Sequence, residues 1–188
     1  MGSLKGKTAV KKKSIVKEIF VWTISLVVLF TAAWLFLHYV GESTQISGES
    51  MYPTLSDGDD LVVDKVSYQF TDPGRFDIIV FPFQYQKDTF YIKRIIGLPG
   101  ETVQISDGKI YINGRLLEED YGYEEIKNPG LASSPVTLGQ DEYFVLGDNR
   151  NNSTDSREPS VGNVSRDRII GRALFRFWPL SGLGFLKQ

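Results

Sequence analysis

The sequence offers few side chains that could carry out catalysis. Its 188 residues include no cysteine, which excludes thiol nucleophiles and cysteine-ligated zinc. The single histidine, His38, lies within a long apolar run, so the remainder of the chain can form neither a Ser-His-Asp triad nor a histidine-rich zinc site. The polar segment that begins at Asp148 has Arg150 where a calcium loop needs its third ligand, so we expect no metal there. A serine activated by a lysine remains among the nucleophilic schemes.

The first candidate is Ser50, which lies in the segment Ser47–Leu55 (SGESMYPTL). Pro53 restricts the backbone of the residue before it and prevents a regular helix through this segment. A rigid turn that presents Ser50 would suit a nucleophile. The alternative is an ordinary turn serine, and this segment taken alone does not distinguish the two.

The second candidate is Lys93, in the segment Phe90–Gly100 (FYIKRIIGLPG). Side chains alternate between the two faces of a strand, so Lys93 should share a face with Tyr91 and Ile95, while Arg94 points the other way. Apolar neighbours desolvate an amine, which disfavours its charged form and lowers its pKa. A general base needs such a shift to accept a serine proton near neutral pH. The alternative is a surface lysine whose amine stays in water.

The third candidate is the polar segment Gly147–Arg157 (GDNRNNSTDSR), which directly follows an apolar run ending at Leu146. Its hydroxyl, amide and charged groups are dense enough to orient a buried amine. The alternative is a solvated loop that contains several Asx turns.

The apolar run at residues 19–40 contains no formally charged residue. We expect it to hold the candidate catalytic groups at a membrane. Roughly 20 apolar residues are enough to span a bilayer core. A cleavable signal peptide is the alternative, but its apolar region is normally about 7–15 residues long and ends in a small-residue cleavage site. We therefore predict a single transmembrane helix over residues 19–40. Because lysines precede it, residues 1–18 should lie in the cytoplasm and residues 41–188 on the extracytoplasmic face of the cell membrane.

The formal net charge of −2 conceals an asymmetry between the two parts of the chain. Residues 1–40 carry a formal charge of +5, and residues 41–188 carry −7. An acidic body argues against a nucleic-acid partner, which usually requires a basic face. A basic segment next to an apolar run is typical of contact with anionic lipid headgroups.

Residues 41–188 have the pattern of an all-β catalytic domain, so the predicted fold class is mainly β behind one transmembrane helix. Short runs of β-branched and aromatic residues alternate with turn signals such as Asn113-Gly114. Strands are predicted at residues 61–63, 77–81, 90–96, 103–105, 109–112, 143–146 and 169–178. Residues 41–48 are small and polar and are predicted to form a tether. Residues of about 113–142 are predicted to form a loop or a small extension.

Taken together, these segments resemble bacterial type I signal peptidase, also called leader peptidase. SGESMYPTL is similar to the family's nucleophile box, DIIVF at residues 77–81 to a family strand, YIKRIIGLPGE to the general-base box, and GDNRNNSTDSR to the last box. Any one of these motifs is weak evidence, whereas four in this order behind an anchor are specific. With one helix and fifty-three residues between Lys93 and Gly147, the chain resembles the compact form typical of Gram-positive bacteria.

The resemblance implies a membrane-bound serine endopeptidase that removes N-terminal signal peptides from exported preproteins after small-x-small sites. By that likeness Ser50 is the nucleophile and Lys93 the general base of a Ser-Lys dyad, which forms an acyl-enzyme without metal or cofactor. Ser153 would hydrogen-bond the lysine amine, and Asp155 and Arg157 would brace the site.

The resemblance also implies how substrate would bind. The preprotein would lie as an extended strand beside the enzyme's strands. The candidate walls of a shallow pocket are Met51, Leu55, Tyr91 and Ile92. The Ser50 N–H would be one donor to the oxyanion, and some family members supply a second from a serine two residues before the nucleophile. Here that residue is Gly48, which leaves Ser47 or another backbone N–H for the role.

The expected partners are preproteins and the lipid bilayer, with the export machinery nearby. Residues 175–179 either rest on the bilayer or form a core strand. Two other functions remain as alternatives. One is a related Ser-Lys enzyme such as the self-cleaving domain of SOS-response repressors, although those are cytoplasmic and carry a DNA-binding module. The other is a membrane-tethered binding protein whose site is intact but unused.

Overall fold

A computed structural model of the chain describes residue 15 and residues 17–31, 41–87 and 89–187. The chain divides into two units, Met1–Gly41 and Glu42–Gln188. In the first unit residues 17–31 are helical, and their side chains are exposed. Among the residues described, no helix combines the length and apolar character needed to cross a membrane. The predicted cytoplasmic segment and transmembrane helix lie partly outside the described residues, since residues 1–14, 16 and 32–40 do.

The second unit is built from short β-strands, as the sequence predicted. The strands within its described residues are β1 (Gly41–Gln45), β2 (Asp60–Asp64), β3 (Ile78–Pro82), β4 (Phe90–Gly97), β5 (Thr102–Ser106), β6 (Lys109–Ile112), β7 (Arg115–Leu116), β8 (Val136–Thr137), β9 (Glu142–Leu146), β10 (Val164–Ser165), β11 (Gly171–Trp178) and β12 (Gly184–Phe185). Single 3₁₀ turns occur at Ser67–Gln69, Gly130–Ser133, Arg166–Arg168 and Leu180–Gly182.

The strands form two sheets. The larger has the order β1-β2-β11-β3-β4-β9-β10, with β12 paired to β11, and the smaller has the order β7-β6-β5-β8. Antiparallel pairing joins β4 to both β3 and β9, so β4 lies inside the larger sheet. Strand β4, which carries Lys93, is therefore held from both sides over part of its length.

One segment differs from the sequence prediction. Residues 41–48, predicted as a tether, contain the edge strand β1, which pairs with β2. Their polar, small side chains gave no alternating apolar signal, because an edge strand is held mainly by backbone hydrogen bonds. The segment of about 113–142, predicted as a loop or a small β/loop extension, contributes the two-residue strands β7 and β8 to the smaller sheet.

Alternation along β3 and β4 distributes their side chains between two apolar clusters. Ile79 and Ile95 lie in one cluster, and Ile78 packs with Ile92 in another. Because successive side chains of a strand point to opposite faces, the two faces of β4 have different surroundings. Lys93 lies on the face of Ile79 and Ile95.

Candidate active site

Ser50 lies in the nucleophile loop, residues 46–55, which forms the first part of the connection from β1 to β2. Met51 and Leu55 anchor this loop to the body, since they are 1% and 0% exposed. From the opposite side, the Asn149 N–H donates to the Ser50 carbonyl at 3.1 Å, and Asn149 Nδ2 donates to the Glu49 carbonyl at 3.1 Å. The serine is thereby fixed between the body and the segment that follows β9.

Lys93 lies directly beside Ser50. Its Nζ is 2.8 Å from Ser50 Oγ and 2.8 Å from the Ile92 carbonyl oxygen, and it is 5.0 Å from the centre of the Tyr91 ring. The residue is only 3% exposed. Burial lowers the pKa of Lys93 to about 8, although the carboxylates of Asp155 and Asp148 act in the opposite direction. The amine can therefore be neutral at a pH only slightly above neutrality.

The polar segment predicted to orient the amine forms the catalytic loop, residues 147–157, after β9. Its Asp155–Arg157 pair is buried, with Arg157 Nε and Nη2 each donating to the Asp155 carboxylate at 2.8 Å. Asp155 also accepts the Gly147 N–H at 3.1 Å, and Arg157 Nη2 donates to the Arg150 carbonyl at 2.6 Å. Through these bonds Asp155 and Arg157 hold both ends of the loop.

Ser153 lies on the groove wall with Ser50 and Lys93. Its Oγ is buried and has no hydrogen-bond partner among the described residues. The structure therefore does not contain the bond to the amine that the sequence resemblance implied; the amine instead bonds the Ile92 carbonyl. The role of Ser153 in orienting Lys93 stays a prediction.

A groove of about 580 Å³ opens at the serine. It is lined by residues 44–50, Val80, residues 89–93 and residues 152–154. Tyr91 and Ile92, two of the residues predicted to form pocket walls, lie along this groove. Met51 and Leu55 belong instead to the apolar cluster that supports the nucleophile loop, and their contact with substrate stays a prediction.

The arrangement suits nucleophilic acyl transfer. A hydroxyl 2.8 Å from an amine of lowered pKa can transfer its proton as it attacks a carbonyl. Within the part of the chain that the structure describes, no group of three or more His, Cys, Asp or Glu side chains is placed to hold a metal ion.

Comparison with known proteins agrees with this chemistry. The sequence profile of the family described as "Signal peptidase, peptidase S26" matches residues 18–178. This chain belongs to the signal peptidase family. Membership makes it a serine endopeptidase of the type I signal peptidase kind, and the substrates of signal peptidases are preproteins.

Individual signal peptidases match most of the chain. Signal peptidase I of Leptolyngbya laminosa is 48% identical over 155 residues, which cover 79% of this chain and 74% of that protein. Signal peptidase I T of Bacillus subtilis (strain 168) is 38% identical over 182 residues, which cover 93% of this chain and 92% of that protein. A solved structure of a signal peptidase I from Enterococcus faecalis V583 is 38% identical, with a TM-score of 0.44, and the match covers 54% of this chain and 97% of that one.

Sequence reasoning missed one buried network in this signal peptidase. Arg94 and Asp148 are fully buried and form a two-pronged ion pair, with Nε–Oδ1 and Nη2–Oδ2 distances of 2.8 and 2.7 Å. Thr54 Oγ1 donates to Asp148 Oδ2 at 2.6 Å, and the Tyr121 ring lies 3.8 Å from the Arg94 guanidinium carbon. The network thus joins the nucleophile loop, the strand of Lys93 and the catalytic loop. The sequence held one signal for this network, since strand alternation turns Arg94 away from Lys93. A guanidinium buried on that face requires a carboxylate partner.

Proposed function

We propose that this signal peptidase removes N-terminal signal peptides from exported preproteins after small-x-small sites, with Ser50 as nucleophile and Lys93 as general base. The observation that carries the proposal is the 2.8 Å contact between Ser50 Oγ and a buried amine whose pKa is lowered to about 8. Family membership supports the substrate class.

The proposed reaction has two stages. In the first, Ser50 Oγ attacks the scissile carbonyl while neutral Lys93 takes its proton, and the protonated amine then gives a proton to the leaving amino group. The mature protein leaves, and the signal peptide remains as an ester on Ser50. In the second stage Lys93 takes a proton from a water molecule that attacks the ester, which releases the signal peptide and regenerates the serine.

An unpaired strand edge supports binding of the substrate as an extended strand. The Ile95 N–H donates to the Asp77 carbonyl, so odd-numbered residues of β4 bond towards β3 and even-numbered residues towards the opposite edge. On that edge β9 pairs with β4 only from Arg94 onwards. The backbone groups of Phe90 and the Ile92 N–H are therefore available to a substrate strand, whereas the Ile92 carbonyl already accepts a hydrogen bond from Lys93 Nζ.

The groove wall supports a preference for small side chains near the cleaved bond. Tyr91 stacks on Phe83 with ring centres 4.5 Å apart and an angle of 9° between the planes. Close-packed side chains resist added volume. The stacked Tyr91 ring should therefore not move aside for a large substrate side chain.

We further propose a single-pass topology in the cell membrane, with residues 1–18 in the cytoplasm, residues 19–40 as the anchor and residues 41–188 as the extracytoplasmic catalytic domain. The six lysines within residues 1–18 support this orientation, because residues 41–64 contain no lysine or arginine. The body also exposes several large apolar side chains from the last residue of β11 onwards, which suits contact with lipid: Trp178, Leu180, Leu183 and Phe185. The export machinery that delivers preproteins would lie nearby.

Incubation with a preprotein that carries an Ala-x-Ala segment tests the proposed function. We expect one cut directly after that segment, identified by N-terminal sequencing of the product, with no cut by Ser50→Ala. The matched control is Ser106→Ala, an exposed serine at the end of β5. Cleavage at another position would contradict the substrate proposal, and cleavage by purified Ser50→Ala would contradict the nucleophile.

A further inference from the structure

The residue two positions before the nucleophile has an unusual backbone conformation. Gly48 has φ = +95°, in the left-handed region that favours glycine. A Cβ at this position would meet no atom within 4 Å, so a larger side chain would fit. Glycine is favoured here because of the positive φ. Its N–H donates to Asp57 Oδ1 at 2.8 Å. That N–H is therefore already used and does not serve a developing oxyanion.

The next two N–H groups, those of Glu49 and Ser50, have no acceptor among the described residues. The Glu49 carbonyl accepts hydrogen bonds from the Tyr52 N–H and from Asn149 Nδ2. Because the C=O and the following N–H of a trans peptide point in opposite directions, the Ser50 N–H is directed away from Asn149. Both Glu49 and Ser50 line the groove.

Consecutive N–H groups next to a residue of positive φ form a concavity that binds anions. We propose that the oxyanion site of this chain consists of the N–H groups of Glu49 and Ser50, and that Asp57 is the positioning residue that orients them through Gly48. This inference rests on the proposed function, since the oxyanion arises when Ser50 attacks a carbonyl.

Asp57 is well placed to hold the Gly48 peptide. The turn that carries it is tied to the start of the nucleophile loop, because the Gly58 N–H donates to the Ile46 carbonyl at 3.0 Å and the Ile46 N–H to the Asp59 carbonyl at 2.8 Å. These bonds fix the backbone on the C-terminal side of Asp57, and the Asp59 N–H, which donates to the Ser56 carbonyl at 3.1 Å, ties in the residue before it. Without this carboxylate the Ser47–Gly48 peptide loses its acceptor, so the backbone of Gly48 is no longer held. Because glycine has a wide choice of φ and ψ, the next peptide, which carries the Glu49 N–H, would then be free to turn away from the reacting carbonyl.

Loss of the Asp57 carboxylate should leave the pKa of Lys93 unchanged. The carboxylates that influence the pKa of Lys93 are those of Asp155 and Asp148. Asp57 is exposed and bonds to Gly48, two residues before the serine. Loss of Asp57 should therefore alter stabilisation of the transition state and leave the pH dependence unchanged.

Kinetics of the full chain with three Asp57 variants test the inference. We expect Asp57→Ala to lower kcat by about tenfold, with KM within about twofold and the apparent pKa of the pH profile unchanged. Asp57→Asn keeps an oxygen that accepts the Gly48 N–H, so its kcat should stay within about threefold of wild type. Asp57→Ser retains a turn-forming residue with a shorter side chain and should fall as Asp57→Ala does, which covers the case in which the alanine variant does not fold.

The matched control is Asp141→Ala, an exposed loop carboxylate remote in sequence from the nucleophile loop. Wild-type kcat in Asp57→Ala or Asp57→Ser would overturn the inference, as would a loss confined to KM, a shifted pH profile, or an equal loss in Asp57→Asn. Failure of the wild-type chain to cleave a preprotein would instead overturn the proposed function, so the two failures are distinguishable.

Discussion

Replacing Lys93 with methionine is expected to lower kcat for preprotein cleavage by about 10³- to 10⁴-fold, because it removes the group that takes the serine proton. Lys93→Arg should be equally inactive, since a guanidinium has no accessible neutral form. Methionine is also unbranched and apolar, so it can occupy the space of the buried lysine. The measurement is kcat at saturating preprotein, with Lys109→Met on the exposed side of β6 as the matched control. That control should stay within about twofold of wild type.

Stability should change in the opposite direction to activity. Burial lowers the pKa of Lys93 from 10.5 to about 8, so the folded state disfavours the proton that the unfolded state keeps. This cost is fully present below about pH 8 and disappears as the pH rises towards 10.5. Lys93→Met should therefore raise the free energy of unfolding at pH 7, by on the order of 1–3 kcal/mol. A variant that is both inactive and clearly less stable would indicate a structural lysine and contradict the account.

Replacing Gly147 with alanine is expected to lower kcat by about 10²-fold, although no functional group is removed. A Cβ at this position would collide with the Ser50 carbonyl oxygen and with the Ser153 hydroxyl. The serine hydroxyl can rotate, but the carbonyl belongs to the nucleophile's own backbone. The collision must therefore displace Ser50 relative to Lys93. Crowding of this kind also costs stability, by about 1–3 kcal/mol.

Gly74→Ala is the matched control for this substitution, because an added Cβ there would make only ordinary contacts, the nearest 3.6 Å from Asp77 Oδ2. Activity should be measured well below the melting temperature of each variant. The double variant Gly147→Ala/Ser153→Ala should remain impaired, since the clash with the carbonyl persists. Near-wild-type kcat in folded Gly147→Ala would show that the serine is not held as tightly as the structure indicates.

The strand that bears Lys93 could be predicted from sequence in some detail. Alternation placed Lys93 with Tyr91 and Ile95 and turned Arg94 the other way, and the structure confirms this. The reason is that strand periodicity is a local property, which a few residues are enough to show. The turn at Asn113-Gly114 was predictable for the same reason, and both residues have positive φ.

Contacts between distant segments could not be predicted in this way. Thr54 and Asp148 are 94 positions apart in the chain, and nothing in either segment indicates that they bond. The edge strand β1 was mistaken for a tether because its pairing depends on β2 and not on its own side chains. The bond from Gly48 to Asp57 likewise depends on the conformation of the whole loop, so the local sequence showed only a glycine where a serine donor was expected.

The central claim is that Ser50 is activated by a buried Lys93 in its neutral form, and the pH dependence of kcat/KM tests it most directly. The profile reports the ionisation of essential groups in the free enzyme. We expect kcat/KM to rise about tenfold per pH unit on the acid side and to level off near the lowered pKa of about 8. A kcat/KM that does not change from about pH 5 to pH 9 would contradict the account. The reason is that a base must lose its proton before it acts, so the active fraction of the enzyme has to depend on pH.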